Sequence, residues 1–193
     1  MKKLIIIGLL FTIILFSANA EGIYFDVGIG LGKPTTKLNG VDLFQDFQNA
    51  GIDMTQVGVD LGMKVGYGPT EMPLYLVGVM QLLTHRMSDS YGDYFTFRSG
   101  LIGPGLVYYP MPNVQVAGSF GYSFVSNDTS LAYNMYGSQK GTAWDASIAY
   151  CLSTGLMIGA RYMSAKNTLE VTGAEQHSTL ISVFIRYALV FDY

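Results

Sequence analysis

Apolar side chains return at every second position in one stretch of this sequence after another. After Ala20, no run approaches the ~20 consecutive apolar residues that a membrane helix needs. Hydrophobic residues nevertheless make up 50% of the chain and charged residues only 13%, too little charge for an ordinary water-exposed surface. Backbone that crosses lipid must satisfy its own N–H and C=O groups, which restricts it to helices and closed barrels. With no sufficiently long helical run beyond the leader, the alternation points to a closed β-barrel.

The first twenty residues stand apart. MKK supplies a positive start, LIIIGLLFTIILF an apolar stretch, and Ala18-Asn19-Ala20 a small-residue cleavage pattern. We read residues 1–20 as a cleaved secretory signal and 21–193 as one barrel domain. Removing Lys2 and Lys3 from the 11 basic residues leaves 9 against 14 acids, a net charge of −5. That balance offers no footprint for nucleic acid. The single Cys151 excludes an internal disulfide framework. No Cys/His cluster suggests a metal centre, and no cofactor is expected.

Eight segments carry the alternation. GIYFDVGIGLG sets Ile23, Phe25, Val27, Ile29 and Leu31 against Tyr24, Asp26 and three glycines. Its GIGLGK end resembles a phosphate-binding loop, but Lys33-Pro34 opens a loop and not the helix such a site needs. Residues 33–56 are expected to form a long connection. Val41, Phe44, Phe47 and Ala50 within it recur every third residue and predict a short helix stopped at Gly51. VGVDLGMKVGY alternates cleanly. LYLVGVMQLL is apolar on both faces, so its register stays open. After the loop THRMSDSYGD, the fourth segment sets Phe95, Phe97, Leu101, Val107 and Tyr109 against Tyr94, Thr96, Arg98, Gly100 and Tyr108. VQVAGSFGYSF, TAWDASIAYCL, LMIGARYMS and the terminal ISVFIRYALVFDY complete the set. Long and short connections alternate, as in an eight-stranded antiparallel up-and-down transmembrane barrel with short turns on one side and loops on the other. A hairpin hidden in residues 33–56 would raise the count to ten.

A soluble barrel would point its apolar face inward around a ligand. Here the opposite face is rich in glycine and serine, as crowded inward positions require, and the few charges on it nearly balance. Asp26, Asp60 and Asp145 stand against Lys64, Arg98, Arg161 and Arg186. Facing lipid, each Arg or Lys near the midplane would cost about 2–4 kcal/mol; facing one another inside, they pair. Tyr67, Tyr75, Tyr109 and Tyr193 at one end of the apolar face, and Phe95, Phe124 and Trp144 at the other, are expected to form interfacial girdles.

The chain's last segment places Tyr187, Leu189, Phe191 and Tyr193 on one face. This resembles the C-terminal assembly signal of outer-membrane barrels. The leader, the eight alternating segments and the terminal aromatic together resemble the small outer-membrane barrel superfamily that includes the OmpA transmembrane domain, OmpW, OmpX and the opacity proteins. The resemblance implies residence in the outer membrane of a diderm bacterium, with its lipid and its assembly machinery as partners. GLIGPGLVYYPMPNVQVAGSFGY and GARYM resemble generic porin-family and OmpW-like segments.

Three functions compete. The charge network can block the lumen or gate a narrow solute pathway. The OmpW likeness implies uptake of small hydrophobic molecules, with Phe44 and Phe47 lining an entrance or merely capping the mouth. The outer loops, through Tyr133, Tyr136, Lys140 and His85-Arg86, can bind a surface partner. An enzyme is not expected and no residue is assigned a catalytic role: His177 and Ser178 should point to opposite faces, and Thr179 stands where a lipid A deacylase's His-x-Ser pattern needs serine. The loop acids Asp89, Asp93, Asp128, Glu170 and Glu175 are expected to be solvated.

Overall fold

In a computed structural model, residues 22–68, 73–129, 139–152, 155–169 and 173–191 are described. The leader and Tyr193 lie outside them. Eight long strands form the wall: β1 (Ile23–Leu38), β3 (Met54–Tyr67), β4 (Leu74–Asp89), β5 (Tyr94–Met111), β6 (Val114–Thr129), β7 (Gln139–Cys151), β8 (Leu156–Leu169) and β9 (Glu175–Phe191). Each pairs antiparallel with the next, and β9 returns to β1 from Ile23↔Phe191 through Leu38↔Gln176, so the cylinder closes. A two-residue β2 (Val41–Asp42) forms a spur on β1. Within residues 33–56, all of them described, no further hairpin enters the wall.

The expected helix is present as α1 (Leu43–Asn49). Asp42 caps it by accepting from the backbone N–H groups of Phe44 and Gln45, and Gly51 leaves it at φ 78°, where glycine is favoured.

The strands outrun the expected segments. Lys33 and Pro34 continue β1, and His85 and Arg86 lie within β4. A 16-residue strand at about 3.3 Å per residue and a tilt near 40° rises roughly 40 Å, beyond an apolar band about 25 Å tall. The wall therefore projects past the band at the loop end, where α1 sits.

Burial settles the faces. Val27, Ile29, Leu31, Leu61, Ile148, Ile158, Ile181, Val183 and Ile185 are all exposed on the outside. The open register of β4 resolves with Val77, Val79, Gln81, Leu83, His85 and Met87 inward and Leu74, Leu76 and Met80 outward. β5 corrects the sequence reading: Phe97, Leu101 and Val107 are buried inside, and Ile102, Leu106 and Tyr108 face out. Tyr75 and Tyr109 pack against the inner core, and Phe95 packs inward against the loop-end cluster, so none of these three belongs to an external girdle. Both faces of β4 and β5 are apolar, and alternation alone cannot tell lumen from lipid there. Tyr67 and Trp144 do face outward.

Labels test this orientation directly. In a Cys151→Ser background, a fluorophore on Ile185→Cys in refolded protein is expected to be quenched by acyl-chain nitroxides, whereas the thiol of Ser182→Cys, buried in the lumen, is expected to resist labelling until the barrel unfolds. An unquenched label at Ile185, or ready labelling at Ser182 in the folded barrel, would contradict it.

Candidate functional site

The lumen is built in layers. At the turn end an apolar layer joins Tyr24, Val77, Val79, Val107, Ala117, Ala149, Met157, Phe184 and Ala188. Above it lies the charged layer. Six of the seven ionic residues expected from the sequence meet there: Asp26, Asp60, Lys64, Asp145, Arg161 and Arg186, each at most 2% exposed. Three carboxylates face three cations, so the layer is neutral.

The contacts form one connected set. Arg186 Nη1 donates to Asp26 Oδ1 at 2.5 Å, and Lys64 Nζ stands 3.7 Å from Asp26 Oδ2. Arg161 Nη1 donates to Asp60 Oδ1 at 2.6 Å. Arg161 Nε is 3.3 Å from Asp145 Oδ2, close enough to pair ionically but not aligned as a hydrogen bond. Gln81 bridges the two halves, donating to Asp60 at 3.0 Å and accepting from Arg186 Nη2 at 3.1 Å. Ser182 donates to Asp60 and Ser119 to Asp145. The guanidinium carbons of Arg161 and Arg186 lie 4.9 and 5.2 Å from the Phe184 ring centroid, adding cation–π attraction. Tyr24 donates to Asp26 at 2.5 Å and accepts from Gln115, which also donates to Tyr109. The network is thereby tied to the layer below.

The inward glycines of β1 and β3 make room for this set. A Cβ at Gly28 would collide with Arg186, one at Gly30 with Asp60, and one at Gly62 with Gln81. The space that glycine leaves is occupied by charged and amide side chains.

Arg98, expected in the network, is not brought to it. It shares the outward parity of Ile102, Leu106 and Tyr108 and is paired across from Thr84 and Ser126 near the loop end. Its misplacement follows from the β5 correction. Gln81, Gln115, Ser119 and Ser182 also belong to the network. For Gln115, Ser119 and Ser182 the only signal in the sequence is inward parity beside charged neighbours, and Gln81 lies in the segment whose register stays open.

A second apolar layer follows, of Leu83, Leu101, Ala143, Met163, Ala165 and Leu180. Above it, Thr36 bonds His85 Nδ1 at 2.8 Å, and Asn127, Gln176 and Ser178 form a hydrogen-bonded chain. His85 is thus fully buried and not a loop contact. The loop-end mouth closes with Met54, Met87 and Phe97 packed against Leu43, Phe44, Phe47 and Phe95, with Phe47 stacked on Phe95 at 5.3 Å. A cavity of about 320 Å³ opens at the opposite, turn end, lined by residues including Tyr109, Cys151, Met157 and Leu189.

His177 and Ser178 diverge as the strand demands. His177 Nε2 lies 3.0 Å from Ser164 Oγ, a pair the sequence did not reveal. Its cross-strand neighbours are Lys37 and Lys166, not an orienting carboxylate. Asp89 accepts from the backbone N–H groups of Tyr91 and Asp93 and shapes the β4–β5 turn. Of the terminal residues, Tyr187 and Leu189 face outward. The side chain of Phe191 and all of Tyr193 lie outside the described residues, as do Tyr133, Tyr136 and Glu170.

No family model and no curated protein matches the chain. Among solved structures it resembles Ail, the attachment invasion locus protein of Yersinia pestis, crystallised with the heparin analogue sucrose octasulfate. The identity is 16%, 87% of this chain and 100% of that one are covered, and the TM-score is 0.54. It also resembles Neisserial surface protein A (NspA) at 14% identity, with 89% and 98% covered and a TM-score of 0.56. The chain has the fold of the small eight-stranded outer-membrane β-barrels.

Breaking the charged layer is expected to destabilise the barrel strongly. Asp60→Leu strips Arg161, Gln81 and Ser182 of their shared acceptor, and leaving a buried cation short of its partner costs about 3–5 kcal/mol. Urea unfolding in lipid vesicles should show the loss, and a double-mutant cycle with Arg161→Met should recover part of it.

Proposed function

We propose that this chain is an integral outer-membrane barrel with a closed lumen, whose working surface is its projecting loop end. The observation that carries this reading is the burial of the lumen's largest polar side chains. A water-filled channel would leave its lining wetted, yet Arg186 and Lys64 are 1% exposed and Asp26, Asp60 and His85 are 0%. Two apolar layers and the α1 cap stack along the same axis. The charge network acts as a neutral strut holding opposite walls together, because in a bore too narrow for water a buried cation left unpaired costs far more than a paired one.

A narrow, porin-like solute pathway stands lower, since the glycine space that would widen it is occupied. Uptake of small hydrophobic molecules past Phe44 and Phe47 also stands lower, because those rings pack onto the mouth and the 320 Å³ cavity lies at the other end. A barrel that does not conduct but is held rigidly in the membrane suits display of its outer rim to a surface partner.

Planar-bilayer recording separates these readings. The refolded wild-type protein is expected to insert without steady conductance. A stable open level that Arg186→Ala alters would replace the strut with a gate.

A further inference from the structure

Every described lysine or arginine on the outer wall lies in its loop-side half, and four of the six gather on one face. Lys37 of β1, His177 of β9 and Lys166 of β8 are register partners in a single row, continued by Thr142 of β7. All three bear outward parity, and both lysines are exposed. With strands about 4.8 Å apart, the two lysines flank His177 across roughly 10 Å. The row below is hydroxylated (Thr35, Thr179, Ser164) and reaches Trp144. One row lower, Lys33 pairs with Ile181, which pairs with Tyr162. Exposed Lys140 stands one row above Thr142, across from Thr168.

Beneath this patch the wall is purely apolar, with Leu31, Val183, Ala160 and Ile148 in register. Trp144 and Tyr162, 5.1 Å apart, mark the boundary, because amphipathic rings settle at head-group level. The cations therefore sit where lipid head groups meet the wall, directly above a surface suited to acyl chains. Among the described residues, two acids adjoin the patch. Glu175 is at its upper rim, and Asp42, paired in register with Lys37, is committed to capping α1. Four lysines and a histidine outnumber them on an otherwise acidic chain.

We propose that the β1–β9–β8–β7 face is a binding site for a phosphorylated, multiply acylated glycolipid of the outer leaflet, with Lys37 and Lys166 clamping a phosphate over His177 and the acyl chains lying on the apolar wall below. The site rests on the membrane placement proposed above. Lys33, exposed and in register with Ile181 at the apolar edge, is long enough for its ammonium to reach the head groups.

The chain's single tryptophan, Trp144, is a built-in reporter. Refolded protein in phosphatidylcholine nanodiscs is titrated with bisphosphorylated lipid A and with its dephosphorylated form, following Trp144 emission and bound lipid by native mass spectrometry. Saturable binding of the phosphorylated lipid is expected, at least about tenfold weaker without phosphate and weakened similarly by Lys37→Gln/Lys166→Gln. Inorganic phosphate should compete only weakly, and Arg86→Gln/Arg98→Gln, on the other side of the barrel, should leave binding unchanged. Equal binding of both lipids by the wild-type protein overturns the proposal, as does undiminished binding by a folded Lys37→Gln/Lys166→Gln variant. Either result with acyl-chain quenching of the Ile185 label intact overturns the lipid site alone and leaves membrane placement standing.

Discussion

Closure of β9 onto β1 is the constraint on which everything else depends. Sixteen register pairs, from Ile23↔Phe191 to Leu38↔Gln176, leave the wall without an edge. In hydrocarbon, each unpaired backbone N–H or C=O costs several kcal/mol. A single open seam would outweigh any side-chain preference. Once the ladder is closed, side chains have only two destinations, and the period of two assigns them alternately to lipid and lumen.

A cylinder of eight strands is narrow, and that narrowness explains its interior. Inward positions carry side chains that must fit together, so Gly28, Gly30 and Gly62 stand opposite or beside Arg186, Asp60 and Gln81. Charges survive inside because they come in equal numbers and share acceptors through Gln81, Ser119 and Ser182. The apolar layers on either side exclude water from the network. The same packing that makes the network a strut removes the room a solute would need.

The outer surface has its own logic. Burial of three cations within leaves six for the described wall, all toward the loop end. The aromatic and apolar rows below them match a bilayer's change from head group to acyl chain. Polar strand ends, the β2 spur and α1 extend beyond that level and carry the barrel's mouth away from the lipid.

Much of this was legible in the residues. Alternation in β1, β3 and β6–β9 placed the outward faces correctly, the acid–base balance identified six of the seven expected network members, and the spacing of Phe44 and Phe47 with Gly51 located α1. Sequence failed where the lumen is itself apolar. In β4 and β5, Val77, Leu83, Leu101 and Val107 face inward while Leu76, Ile102 and Leu106 face outward, so hydrophobicity carries no sign and Arg98 was placed on the wrong wall. Strand ends also escaped, because Lys33, Pro34 and His85 look like loop residues until neighbouring strands supply their hydrogen-bond partners. The sequence by itself determined that this chain must close into a barrel with charge hidden inside. Only the tertiary structure decided which face of the ambiguous strands meets lipid and which distant cations share one row, because register is set by pairing with neighbours and not by any residue alone.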